Sequence, residues 1–206
     1  PATTPMSSEL LPCIELETGA RPDAAIIWLH GLGADGNDFV PIVEEMKLPE
    51  SAAIRFVFPH APVRPVTINA GFPTRAWYDI AGGDFANRAD MVGVRASQAA
   101  VEALSARERS RGVAARRIVL AGFSQGGAIA LYTGLRHRER LAAIVALSTY
   151  LVAADRMAGE GAASNRDVPI FMAHGTQDPM IGIDWGDASR HALEAAGYQV
   201  EWRTYA

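Results

Sequence analysis

The sequence predicts an α/β fold: a mostly parallel central sheet with helices on both faces, built as one domain over residues 1–206. Three observations predict it. Short, continuous apolar runs recur along the chain, as strands buried on both faces require. Turns and longer helical patterns separate them, the alternation that gives a parallel sheet its covering layers. Several of these runs end in glycine turns that carry polar side chains, where such a sheet places its working residues. At 206 residues the chain has room for one such domain, and a second would be cramped.

The first strand is read at Ala25–Leu29 (AIIWL) and the second at Ile54–Phe58 (IRFVF), stopped by Pro59. A third follows at 117–121 (RIVLA), a fourth at Leu141–Leu147 and a fifth at 168–173 (VPIFMA). The sixth, 199–205 (QVEWRTY), alternates in polarity and suits a position nearer an edge. The longest helix is placed at Asn87–Arg111, where Met91, Val94, Val101 and Leu104 recur at helical spacing and Gly112 supplies a stop. Gln125–Arg136 reads as a helix starting directly after a serine, with basic residues toward its C-terminal end. A further helix, Asp187–Ala196, is closed by Gly197.

The composition narrows the function classes. A formal charge of −4 offers no electrostatic footprint for nucleic acid or an anionic membrane. The single cysteine, Cys13, excludes an internal disulfide framework. No basic stretch followed by an apolar run opens the chain, and the uncharged run Leu141–Ala154 is too short to span a bilayer. A cytoplasmic location without stable membrane insertion is the expectation.

Three strand ends carry chemistry. The third strand runs into Gly122-Phe123-Ser124-Gln125-Gly126 with a helix following at once, which is G-x-S-x-G in its strand–turn–helix setting. A nucleophile on so tight a turn brings strand and helix backbones together, and side chains at 122 and 126 would collide. The Gln125 amide then lies at a helix N-terminus, where free N–H groups favour an anion. The plainer alternative is a small-residue turn. The first strand ends in His30-Gly31-Leu32-Gly33, a turn placed to give a second backbone donor, or simply a glycine turn over a packed histidine. The fifth ends in His174-Gly175-Thr176-Gln177-Asp178-Pro179. There Asp178 occupies the place of a triad acid in the order Ser, Asp, His, or else begins a turn before proline.

Four stretches resemble the carboxylesterase/acyl-protein thioesterase group of α/β-hydrolases, also called the phospholipase/carboxylesterase family. They are WLHGLGADGNDF (28–39), FPHAPVRPVTINAGFPTRAWYDI (58–80), IVLAGFSQGGAIALYTG (118–134) and HGTQDPM (174–180). The resemblance implies an α/β-hydrolase fold and hydrolysis of carboxylic esters or thioesters through an acyl-enzyme, with no metal or organic cofactor. It makes Ser124 the nucleophile, Asp178 the acid, and the amides of Leu32 and Gln125 the oxyanion hole. It puts Trp77 and Tyr78 near the acyl or alcohol pocket, the alternative being core aromatics. The substrate class it implies is a small-molecule ester or thioester, including lysophospholipids and acylated proteins, and it admits a homodimer. Met180-Ile181-Gly182-Ile183 departs from the family's two valines and a proline, which reshapes the loop after Asp178.

A second departure concerns the base. A serine hydroxyl needs a proton acceptor within hydrogen-bond reach, and the family's is a histidine in the loop after the last core strand. Here Ala206 follows that strand directly. His30 and His174 belong to turns, His60 matches a non-catalytic family position, and His137 sits among arginines on what reads as a solvated surface. His191 precedes the last strand. The expectation is a chain incomplete at its C-terminus, with the triad histidine beyond Ala206. The alternative is a non-catalytic acyl-binding relative; a dienelactone hydrolase is disfavoured because serine, not cysteine, occupies the elbow.

Overall fold

The computed structural model describes residues 10–84 and 89–206. A seven-stranded sheet is built from β1 (Cys13–Glu17), β2 (Ala24–Leu29), β3 (Ile54–Pro59), β6 (Ile118–Phe123), β7 (Ala143–Leu147), β8 (Ile170–Gly175) and β9 (Val200–Tyr205), in the order β1-β3-β2-β6-β7-β8-β9. All neighbours are parallel except β1, which runs antiparallel to β3. A separate hairpin pairs β4 (Val63–Val66) with β5 (Phe72–Arg75). The helices are α1 (Ile42–Glu45), α2 (Met91–Ser110), α3 (Gln125–Arg136), α4 (Met157–Glu160) and α5 (Ile183–Ala195).

All six strands read from the apolar runs are present, with ends shifted by one or two residues. β1 and the hairpin had no such signal. CIELE alternates and sits on an edge, and both hairpin strands carry proline or polar residues. The longest helix begins later than Asn87: the Asp90 carboxylate accepts from Gly93 N–H at 3.0 Å and caps α2. Asn87 and Arg88 lie outside the described residues. α5 begins at Ile183 rather than Asp187, so its first turn absorbs residues that read as loop.

Strand alternation splits the core into two layers. Ile27, Leu29, Val57, Leu120, Ile144 and Ala146 face one side, with Val94, Val101 and Leu104 of α2 and nearly all of α3 packed on them. Trp28, Phe56, Phe58 and Ala121 face the other, under Phe39, Ile42, Val43 and Leu48 around the short α1. Among the described residues no helix is long and apolar enough to cross a membrane.

The distal end of the sheet holds an ion network. Arg55 donates to Glu108 at 2.7 Å and Glu17 at 2.8 Å, and Arg107 and Arg111 each approach Glu108 at 3.1 Å. Glu108 is fully buried, and three guanidiniums stabilise its charge there. Cys13 lies nearby, where burial pushes its thiol up to about 11. His137 also corrects the sequence reading. It is buried, with Nε2 at 3.2 Å from Ser105 Oγ and Nδ1 at 2.9 Å from the Glu139 carbonyl, because α3 ends against α2 rather than in solvent.

Candidate active site

β2 and β6 are adjacent, and beyond them the order runs outward in opposite directions, so their C-terminal ends open a crevice. Into it β6 delivers Ser124, at φ 54° and ψ −120°, a backbone conformation non-glycine residues rarely hold. The glycines permit it. A Cβ at Gly122 would stand 2.6 Å from Gly127 N and closer still to the Gly126 carbonyl. A Cβ at Gly126 would stand 2.5 Å from His30 O and closer still to Leu29 O. Strand, elbow and the β2 turn are therefore in backbone contact, which is the crowding expected from the motif. Ser124 N–H donates to Leu147 O at 2.9 Å, and Thr149 Oγ1 donates to Ser124 O at 2.6 Å, fixing the turn from the β7 side.

Gln125 is the first residue of α3, so its amide has no acceptor within the helix. In the β2 turn, Gly33 N–H donates to Arg75 O at 2.9 Å and Ala34 N–H to Gly31 O at 3.3 Å, with Leu32 between them on the cavity wall. His30 packs beneath: its Nε2 accepts the Ala61 amide at 3.0 Å. Burial lowers the His30 pKa, which favours the neutral ring that this bond needs.

A cavity of about 690 Å³ opens over the serine, within the range of small-molecule sites. Its walls are mainly apolar, from Leu32, Ile68, Ile80, Phe123, Met180 and Ile181, with Ser124, Gln125 and Asp178 among the polar groups. Asp178 sits in the turn after β8. Its Oδ1 accepts the amides of Met180 and Ile181, both at 2.9 Å, while Oδ2 lies 3.8 Å from His174 Nε2. His174 Nε2–H is directed instead to Ile181 O at 2.8 Å, which ties the loop from below. Asp178 thus has one oxygen held by backbone and one with no bond of its own among the described residues.

Ser124, Asp178, Leu32 and Gln125 are brought together on this cavity. Trp77 and Tyr78 are not part of its wall. Both are fully buried, one layer behind, because their polar atoms are bonded inward. Trp77 Nε1–H donates to His30 O at 2.9 Å, and Tyr78 Oη lies 2.5 Å from Tyr150 Oη. Tyr150 joins Phe123 as an aromatic on the wall, and the sequence reading missed it. It lies three residues beyond β7, so the strand-end rule applied to that strand would have found it. None of the five histidines lines the cavity: besides the three described, Nδ1 of His60 accepts from Gly36 N–H at 3.0 Å, and His191 is exposed beside Arg190 and Asp187. Among the described residues no group of three His, Cys, Asp or Glu side chains could hold a metal ion.

Comparison with known proteins agrees with this architecture. The phospholipase/carboxylesterase family model matches residues 12–206. An acyl-protein thioesterase 1 of Neurospora crassa is 39% identical over 194 residues, spanning 90% of this chain and 79% of that protein. One of Yarrowia lipolytica is 37% identical over 198 residues, spanning 94% and 87%. The crystal structure of Zea mays acyl-protein thioesterase 2 superposes with a TM-score of 0.82 at 29% identity, over 94% of this chain and 89% of that one. With the family model matched over nearly the whole chain, and the Neurospora and Yarrowia relatives 39% and 37% identical over most of it, the chain belongs to the phospholipase/carboxylesterase family and is a hydrolase of the α/β-hydrolase fold.

Proposed function

We propose that the chain hydrolyses carboxylic esters or thioesters with Ser124 as nucleophile. The observation that carries this reading is Ser124 on its strained elbow at the cavity, with the Gln125 amide at the start of α3 beside it. Ser124 Oγ attacks the acyl carbon and its proton passes to a base. The amides of Leu32 and Gln125 hold the resulting oxyanion. Collapse of that intermediate releases the alcohol or thiol, which carries the proton away, and water then frees the acid and restores the serine. A histidine oriented by Asp178 Oδ2 serves as base. All five histidines of the chain are engaged away from the cavity, so the reading assigns the base to a residue beyond Ala206. The last residues of β9 run beside the acid turn, where Thr176 N–H donates to Tyr205 O at 2.7 Å.

The apolar walls favour an acyl chain over a polar substituent, and the relatives that are acyl-protein thioesterases make acylated proteins a substrate class here. The test is intact-mass spectrometry of the full-length protein before and after a fluorophosphonate, with turnover of a p-nitrophenyl ester series of rising acyl length. One adduct, absent in Ser124→Ala, is expected. No adduct and no turnover would move the protein to the acyl-binding reading.

A further inference from the structure

Trp77 is the least explained residue of the site: fully buried, outside the cavity, yet bonded to both of its edges. Its backbone N–H donates to Gln125 Oε1 at 2.8 Å, and Gln125 Nε2 returns a bond to Tyr78 O at 2.8 Å. Its indole N–H donates to His30 O at 2.9 Å, two residues before Leu32, and its ring lies 5.3 Å from the His30 ring. Ser97 Oγ from α2 donates to Trp77 O, and Gly33 N–H binds Arg75 O on the other side of Leu32. One short segment, 75–78, therefore grips the elbow and the β2 turn at once.

We propose that Trp77 is a positioning residue that sets the separation of the two oxyanion donors, the amides of Leu32 and Gln125. This rests on the assignment of those amides above. The donors sit at the ends of different strands, and the backbone contact at Gly126 fixes only how close they can come. The Trp77 bonds fix how far apart they can go. A brace of this kind acts on the oxyanion rather than on the bound ester, because the amide bonds strengthen as negative charge develops on the acyl oxygen. The indole nitrogen is the essential atom: a phenylalanine fills most of the same space but leaves His30 O buried without a donor.

The experiment is Trp77→Phe in the full-length protein, alongside Gln125→Met, which keeps the backbone amide and removes the other half of the brace. Active sites are counted by fluorophosphonate titration, so loss of folded protein is separated from loss of rate. The expectation is a fall in kcat of about 10- to 100-fold per active site, with KM within about twofold. The inhibition constant of an acyl trifluoromethyl ketone should weaken in proportion to kcat/KM. The double variant should lose less than the product of the two single losses, since both cut one brace. Wild-type kcat per titrated site in either variant, or a loss confined to KM, overturns the proposal. If Trp77→Phe does not fold, Gln125→Met alone carries the same expectation and the same refutation. A wild-type protein that takes no label at Ser124 overturns the nucleophile assignment and this inference together; normal labelling with unaltered variants overturns only the inference.

Discussion

Replacing Gly126 by alanine tests whether the oxyanion hole is built on the contact between elbow and β2 turn. The new Cβ would stand 2.5 Å from His30 O and closer still to Leu29 O, where ordinary contact begins at 3.4 Å, so one backbone must retreat by at least roughly 0.9 Å. Neither has a flexible end to give: His30 O accepts the Trp77 indole, and the elbow is held by Leu147 and Thr149. Overpacking of this kind costs about 1–3 kcal/mol, which lowers Tm by on the order of 2–12 °C for a chain of this length. The larger effect falls on rate. Leu32 follows His30 by two residues, and a displacement near 1 Å at a donor costs about 100-fold in kcat. Ester hydrolysis per active site, beside a thermal melt, measures both. A Gly126→Ala protein with kcat within threefold of wild type and a lowered Tm would refute the reasoning, by showing that the hole does not depend on that contact.

Asp178→Asn should fold normally, because an amide oxygen still accepts from Met180 and Ile181; kcat of the full-length enzyme should fall by about 10⁴-fold, read by steady-state hydrolysis. Cys13 is held protonated by burial, its pKa moving from 9.0 to about 11. Since the unfolded thiol loses its proton first, the thiol's contribution to stability is whole below pH 9 and is lost as pH rises through 11; urea melts from pH 8 to 11 should show this decline and a Cys13→Ala protein should lack that component. Ile68→Ser with Met180→Ser removes two exposed apolar walls of the cavity, so KM for an octanoyl ester should rise about 3- to 10-fold while the acetyl ester is unaffected. Arg55→Met leaves Glu108 buried with two of its three arginines, and should cost a few kcal/mol, about 3 by equilibrium unfolding.

The sequence displayed what depends on local pattern. AIIWL and RIVLA are strands because both faces of each are buried, and an uninterrupted apolar run has no other stable use at that length. The elbow was legible because its chemistry demands glycine at two fixed offsets from the serine. Trp77 and Tyr78 were not legible in role: an aromatic that lines a cavity and one that braces its back have the same letter, and only the direction of the indole N–H distinguishes them. His137 misled for a similar reason, since flanking arginines suggest solvent while the ring turns inward to Ser105. β1 and the β4–β5 hairpin carry too few buried residues to announce themselves. Tyr150 belongs to a loop whose only signal was its position after a strand.

The brace also bears on how the enzyme is made. The bonds from Trp77 to His30 and to Gln125 join positions 47 and 48 apart; the first needs β2 in place, and the second closes across α2 and β6. Closing loops of that length is the slow part of assembling a parallel sheet, whereas helices such as α2 form early from local contacts. Refolding followed by circular dichroism should therefore run ahead of refolding followed by reactivity toward a fluorophosphonate. On the proposed assignment the oxyanion hole is a late product of the folding reaction, and a collapsed chain with most of its helix in place is not yet a catalyst.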